Sequence, residues 1–274
     1  MKVMCVLLRR LIMPISVVCI LAALVLFSIN IIGLYRYTTV ENGNPLILAN
    51  DERTLSEGEF WQLAERRDGE SDEDYAARMT HAISDRILLM EPKYLKPTFF
   101  QNWILWLDTR NEKKYEWSDS QQAIRTGGGY CSQHAIIFNN LLEANGVDAQ
   151  ILGLSGHVVN QAFIDGKWRV YDPDYDVIMS HSLEEVEQRA ELAYIAYKNA
   201  GQTDSRARGW AEIYSSADNN SVYENTRSYK GRAAFEYEKA ALLWIWLLPS
   251  LLLAIGLVLY FIRGLPFFSC SKQG

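Results

Sequence analysis

Acidic residues are missing from both ends of this chain. All 33 aspartates and glutamates lie within residues 36–239, and outside that stretch the only charges are the basic ones of Lys2, Arg9, Arg10, Arg263 and Lys272. Inside it the balance reverses and acids outnumber bases. A domain of that sign repels phosphate backbones, which excludes nucleic acid as a partner. Cysteine is scarce too. Of the four, Cys5 and Cys270 sit in the basic ends and Cys19 in an apolar run, leaving Cys131 alone in the polar middle. One thiol makes no disulfide framework, so it is either a small buried hydrophobe or a working group. The four histidines, at 81, 134, 157 and 181, form no close pair, and there is no Cys-x-x-Cys. Zinc-type spacing is therefore lacking, and neither a metal nor another cofactor is expected. Gly127-Gly128-Gly129 lacks the Lys-Ser/Thr of a P-loop and continues Tyr130-Cys131 instead, which argues against a phosphate cradle.

What the chain has is two long apolar runs. Residues 11–35 carry no charge, and a bilayer core of about 30 Å asks for roughly 20 apolar residues in a helix. The run ends Phe27-Ser28-Ile29-Asn30-Ile31-Ile32-Gly33, without the small-residue pattern of a cleavage site, so it reads as an uncleaved anchor. Residues 240–262 hold Trp244 and Trp246 at one end and Tyr260 at the other, as interfacial aromatic belts do. Two spans put both ends on one side. The basic bias of those ends makes them cytoplasmic and the acidic domain extracytoplasmic. The expected order is a basic tail (1–10), a span (11–35), a linker and helical part (36–120), a catalytic core (121–200), a polar return segment (201–239), a span (240–262) and a second basic tail (263–274). Asn30 is a polar group in the first span that could bind a membrane protein partner.

Within the soluble part, Asn42-Gly43-Asn44-Pro45 marks an irregular linker. Ser56 with Glu59 forms a capping box for a short helix. Ser71 with Asp74 opens a longer one, whose apolar stripe Tyr75, Met79, Ala82, Ile83, Ile87 and Met90 runs until Glu91-Pro92. His81, beside that stripe, reads as structural. Phe99, Phe100, Trp103, Ile104, Trp106 and Leu107 recur at helical spacing and read as core. Ser118 with Gln121 predicts a brief helix before the glycines. Ser182 with Glu185 predicts another reaching Ala200-Gly201, and 202–229 reads as loop or stalk.

The chemistry centres on Cys131. The glycines permit close backbone approach at the mouth of the next helix, which starts at Cys131 and ends at Asn145-Gly146. Free N–H groups and the helix dipole in that first turn favour thiolate over thiol. Downstream, Asp165-Gly166 between alternating runs is a type I′ hairpin signal. Ile164 then pairs with Lys167, which sets Asp172 opposite Val159 and Asp174 opposite His157. His157, Val159 and Asp172 share a face, and the diagonal pair His157 and Asp172 comes within about 7 to 8 Å at the backbone, close enough for a hydrogen bond. Pro173 ends the ladder. A thiol at a helix start, an imidazole at a strand start and an orienting carboxylate are the parts that nucleophilic acyl transfer needs.

Gly129-Tyr130-Cys131-Ser132-Gln133-His134-Ala135, Asn145-Gly146-Val147-Asp148-Ala149, Gly156-His157 and Gly166-Lys167-Trp168-Arg169-Val170-Tyr171-Asp172-Pro173 together resemble the transglutaminase-like superfamily. The resemblance spans roughly residues 121–175. It implies an α+β fold with a papain/transglutaminase-like core, in which N-terminal helices precede a cysteine at a helix start and an antiparallel β-sheet, here flanked by two transmembrane helices. It implies Cys131 as nucleophile, His157 as general base and then acid, and Asp172 as orienting carboxylate, with no catalytic metal. The expected activity is that of a cysteine peptidase, amidase or transglutaminase-type acyltransferase on protein or peptide amides. The alternative is a silent scaffold or binding module at the membrane. An aromatic residue often follows the superfamily's histidine, whereas this chain has Val158-Val159-Asn160. The backbone N–H of Cys131 is one candidate oxyanion donor, and Tyr130, Gln121 and Gln122 are candidates for a second. His134 and Asp174 are rivals for the histidine and carboxylate roles.

Overall fold

The computed structural model describes residues 2–37, 39–48, 52–109, 111 and 114–263, with backbone alone for 2–10. The expected basic tail beyond Arg263 lies outside the described residues, as do Cys270 and the side chain of Cys5. The chain divides into two units, one of Thr38–Lys96 and Asn111–Tyr237, the other of Met1–Tyr37, Pro97–Arg110 and Glu238–Gly274. Together their elements make a mixed α+β protein with one five-stranded antiparallel sheet.

After α1 (Lys2–Tyr35) the linker is irregular, as its turn residues predict, but it is fastened down. The Val40 N–H donates to the Thr126 carbonyl at 2.8 Å, and Ile47 bridges Met90. α2 (Glu57–Ala64) starts at Ser56 with both halves of the capping box formed. α3 (Asp72–Arg86) is capped by Ser71 and buries Tyr75, Met79, Ala82 and Ile83. It ends before the expected Met90. Ile87 turns extended, and Leu88–Leu89 become β1. An unbroken apolar run buried on all sides suits a strand as well as a helix, and here β1 finds a parallel partner in β2 (Gly128–Gly129). Between them lie α4 (Trp103–Thr109) and α5 (Ser120–Thr126), the latter capped by Asp119 rather than Ser118. The Asp119 carboxylate accepts from the Gln122 N–H at 3.0 Å.

The glycines do what their position predicts. A Cβ on Gly129 would lie 2.6 Å from Cβ of Gln133, and one on Gly128 would lie 2.7 Å from Val40 Cγ2. Only hydrogen side chains let β2 pass so close to α6 (Cys131–Ala144). The sheet follows, with β3 (Ala149–Leu154), β4 (His157–Ile164), β5 (Lys167–Asp172), β6 (Val177–Met179) and β7 (Ser221–Tyr223) in the order β6-β5-β4-β3-β7. The β4–β5 hairpin has the predicted register, Ile164 against Lys167 through Asn160 against Tyr171. Asp165 and Gly166 take φ of 52° and 82°, the two positive angles of a type I′ turn.

The last third of the first unit differs from the expected loop. The helix predicted from Ser182 is two, α7 (Leu183–Gln188) and α8 (Glu191–Asn199). Residues 202–229, read as loop or stalk, form α9 (Asp204–Ser215), β7 and α10 (Thr226–Lys230). Thr203 caps α9, and Ala207, Ala211 and Tyr214 are buried along one side of it. The sheet thus has a layer on each face. On one, Ala135 and Ile136 of α6 pack on Ile151 and Val158. On the other, Leu152, Val159 and Val170 pack with Tyr197, Ala207 and Tyr214 of α8 and α9.

α1 and α11 (Arg232–Ile262) are both long and apolar enough to cross a membrane. They lie against each other within the second unit. Ser16 Oγ donates to the Gly256 carbonyl at 2.8 Å, and Asn30 Nδ2 donates to the Ile245 carbonyl. A Cβ on Gly256 would fall 2.7 Å from the Ile20 side chain, so a small residue sets the spacing of the pair. The Asn30 amide, expected as a possible partner contact, is engaged inside the chain.

Candidate active site

The site forms at one end of the β4–β5 pair, where the N-terminus of α6 meets the strands. His157 opens β4 and Asp172 closes β5. The sequence-derived diagonal is present as a hydrogen bond of 2.8 Å between His157 Nε2 and the Asp172 carboxylate. With Nε2 so engaged, Nδ1 is the nitrogen available to the thiol. Cys131 occupies the first position of α6 after Tyr130 at the cap, and its sulfur, a His157 ring nitrogen and an Asp174 carboxylate oxygen lie within 4.8 Å of one another. Thiol and imidazole are therefore close, with Asp172 bonded to the ring and Asp174 beside both.

Of the two rivals, His134 falls elsewhere and Asp174 does not. His134 is buried with Nδ1 2.9 Å from the Tyr130 carbonyl and Nε2 3.1 Å from the Ile87 carbonyl, so it fastens the start of α6 to the end of α3. Asp174 joins the site, its carboxylate within 4.8 Å of a His157 ring nitrogen, while the hydrogen bond to that ring comes from Asp172. Asp174 also sits beside Cys131, and its carboxylate is 3.8 Å from His134 Nε2. His81 is exposed and paired with Asp176. Gln121 and Gln122, candidates for an oxyanion donor, belong to α5, before the glycine strand. The convergence of Cys131, His157 and Asp174 is also a sulfur, nitrogen and oxygen set of the kind a divalent ion uses, which the residue spacing did not foretell.

No family model, curated protein or solved structure matches this chain. The site must be read from its own geometry.

Four aromatic residues complete it that sequence reasoning passed over. Tyr197 on α8 donates its hydroxyl to the same Asp172 oxygen that holds His157, and Tyr214 on α9 lies 3.5 Å from the Tyr197 hydroxyl. Trp210 on α9 lies tilted by 35° against the His157 ring with centroids 4.5 Å apart, and Tyr175 approaches the same ring edge-on at 5.7 Å. The Asp174 N–H donates to the other Asp172 oxygen at 3.1 Å. Asp172, with no exposed surface, is thus surrounded by donors. Cys131 is 4% exposed and His157 3%, and the aromatic cover packs on the imidazole.

Electrostatics follow from this packing. Burial works against a charge on His157, but the Asp172 carboxylate overrides it and, with the hydrogen bond to Cys131, holds the imidazole pKa well above its ordinary 6.5. Burial, reinforced by the Asp172 charge, keeps the Tyr197 hydroxyl far above the usual tyrosine range, so it stays a neutral donor. Burial does the same for Tyr175, with the Asp174 and Asp172 charges adding to it.

A raised folded-state histidine pKa means that the folded chain holds the proton more tightly than the unfolded one. The stabilisation from His157 is therefore whole below about pH 6.5 and is lost as pH climbs through the raised value. The expected result is a gap in melting temperature between wild type and His157→Gln that is largest in mild acid and narrows toward alkaline pH. A gap that widens with pH would contradict the ion-pair assignment.

Proposed function

We propose that this chain is a membrane-anchored, transglutaminase-like thiol enzyme that cleaves or transfers the acyl group of protein or peptide amides through Cys131, His157 and Asp172. The observation that carries the reading is the Asp172-bound imidazole facing a thiol in the first turn of a helix. The Cys131 thiolate attacks the amide carbonyl, and the C–N bond breaks as the His157 imidazolium gives its proton to the leaving amine. The resulting thioester is opened by water or by a second amine, whose proton returns to His157. Asp172 fixes the ring and offsets its charge, and Tyr197 holds Asp172. Every group used belongs to the chain, so no cofactor enters the reaction. The papain-like arrangement is part of the same proposal and is supported by α6 lying against an antiparallel sheet that supplies the other two groups.

The anchoring helices are α1 and α11. Their basic ends place both termini in the cytoplasm and the acidic unit on the extracytoplasmic side in this proposal. A second reading, a catalytically silent scaffold, is favoured by one observation: the 4% exposure of Cys131. The two readings differ in the state of the thiol. An ordinary cysteine of pKa near 8.5 is only a few per cent thiolate at pH 7, whereas an imidazolium-paired one is mostly thiolate. Iodoacetamide, followed by mass spectrometry of the Cys131 peptide, is therefore expected to label the wild type about thirty-fold faster than His157→Ala at pH 7. Equal and slow labelling of both would favour the scaffold.

A further inference from the structure

Residues 97–109 take no part in the proposed chemistry, and their composition is unlike the rest of the soluble sequence. Pro97-Thr98-Phe99-Phe100-Gln101-Asn102-Trp103-Ile104-Leu105-Trp106-Leu107-Asp108-Thr109 contains one charge, Asp108. Basic residues flank it: Lys93 and Lys96 on one side and Arg110, Lys113 and Lys114 on the other, against Glu91 and Glu112. The expected role was core. In the structure the segment groups with the two membrane-length helices.

It is built rigidly. Thr98 and Gln101 exchange hydrogen bonds, with Thr98 N–H to Gln101 Oε1 at 2.7 Å and Gln101 N–H to Thr98 Oγ1 at 3.3 Å. Asn102 caps α4 by accepting from the Ile104 and Leu105 N–H groups. Phe99 packs edge-on to Phe100 and to Trp106, with ring centroids at 5.6 and 5.2 Å. The backbone presses on α1 near its end. A Cβ on Gly33 would fall 1.8 Å from the Phe100 carbonyl oxygen, so only glycine admits the contact. Leu105 is buried, yet Phe100 is 37% and Leu107 52% exposed, with Phe99, Trp103, Ile104 and Trp106 half-buried beside them.

We propose that residues 97–109 lie in the membrane interface, with Phe100, Leu107 and the Trp106 ring among lipid headgroups and upper acyl chains. Three observations name lipid as the occupant. The segment is seated where a span ends, two residues before Tyr35 closes α1. Its exposed and half-buried rings, Phe100 and Trp106 among them, are of the kind that favours the headgroup level. Its flanking cations suit anionic headgroups. The inference rests on α1 and α11 spanning the bilayer, and the same experiment reads that separately.

The full chain is reconstituted in phosphatidylcholine vesicles carrying an acyl-chain diazirine, with and without phosphatidylglycerol, and the cross-linked peptides are mapped after illumination. The expected result is lipid adducts on the 97–109 peptide as well as on both spans, with more adduct on 97–109 when phosphatidylglycerol is present. In the double variant Phe100→Asp/Leu107→Asp, adducts on 97–109 fall several-fold while those on the spans persist. Adducts on the spans with none on 97–109 would overturn the proposal, as would cross-links from 97–109 to a second copy of the chain in place of lipid. Spans without adducts would instead overturn the anchoring reading.

Discussion

Cys131→Ala is expected to abolish turnover of every peptide amide that the wild-type protein processes, a loss of roughly ten-thousand-fold or more. In the proposed mechanism the Cys131 sulfur forms the acyl-enzyme, and water activated by His157 alone is a poor substitute. Fold stability should hardly change. The alanine methyl replaces a small thiol in a position 4% exposed, and the cost should stay near about 1 kcal/mol. The measurement is mass-spectrometric turnover of a peptide library by detergent-solubilised full chain, with and without an added primary amine. Product mass separates hydrolysis from amine transfer, because both pass through one thioester. A variant that keeps wild-type turnover would end the nucleophile assignment, while a variant that loses turnover and melting cooperativity together would show only unfolding.

Asp172→Ala should instead be costly in both respects. That carboxylate receives His157 Nε2, the Tyr197 hydroxyl and the Asp174 N–H, and it is wholly enclosed. Removing it strands a buried imidazole whose charge it sustained, and a tyrosine hydroxyl that burial keeps neutral. Breaking a buried charge pair on one side costs about 3–5 kcal/mol. Asp172→Asn keeps the volume and part of the hydrogen bonding, so it should fold better and still lose on the order of ten-thousand-fold in rate, because the ring is no longer held in the required tautomer. Tyr197→Phe separates the two effects. It should cost about 1–2 kcal/mol while leaving measurable turnover, since the His157 bond remains. Urea unfolding and turnover measured on all three variants check the ordering. Asp172→Ala melting like wild type would contradict the burial argument.

The hairpin was readable because its determinants are local. Asp165-Gly166 fixes the turn, the turn fixes the register, and the register puts His157 and Asp172 on one face. The same holds for Cys131, since a glycine run and an Asn-Gly stop bound its helix from both sides. Errors arose where local signals compete with distant partners. Ile87 to Met90 continues a helical stripe, and only the arrival of Gly128 and Gly129 from far along the chain turns it into a strand. Residues 202–229 look polar because half of α9 is exposed to water. Its buried side was nonetheless written in the sequence: Thr203 is a cap, and Ala207, Trp210, Ala211 and Tyr214 recur at helical spacing behind it. What no spacing could supply is the destination of those rings on His157 and Asp172, which depends on the α8–α9 pair folding back over the sheet.

That division has a temporal side. The reactive trio is complete by Asp172, whereas Tyr175, Tyr197, Trp210 and Tyr214 all come later in the chain. As the polypeptide leaves the ribosome from its N-terminus, the imidazole and its carboxylate can meet before the rings that pack on them have been made. His157 and Asp172 thus wait for Trp210 and Tyr197, and α11 follows only after both have been made.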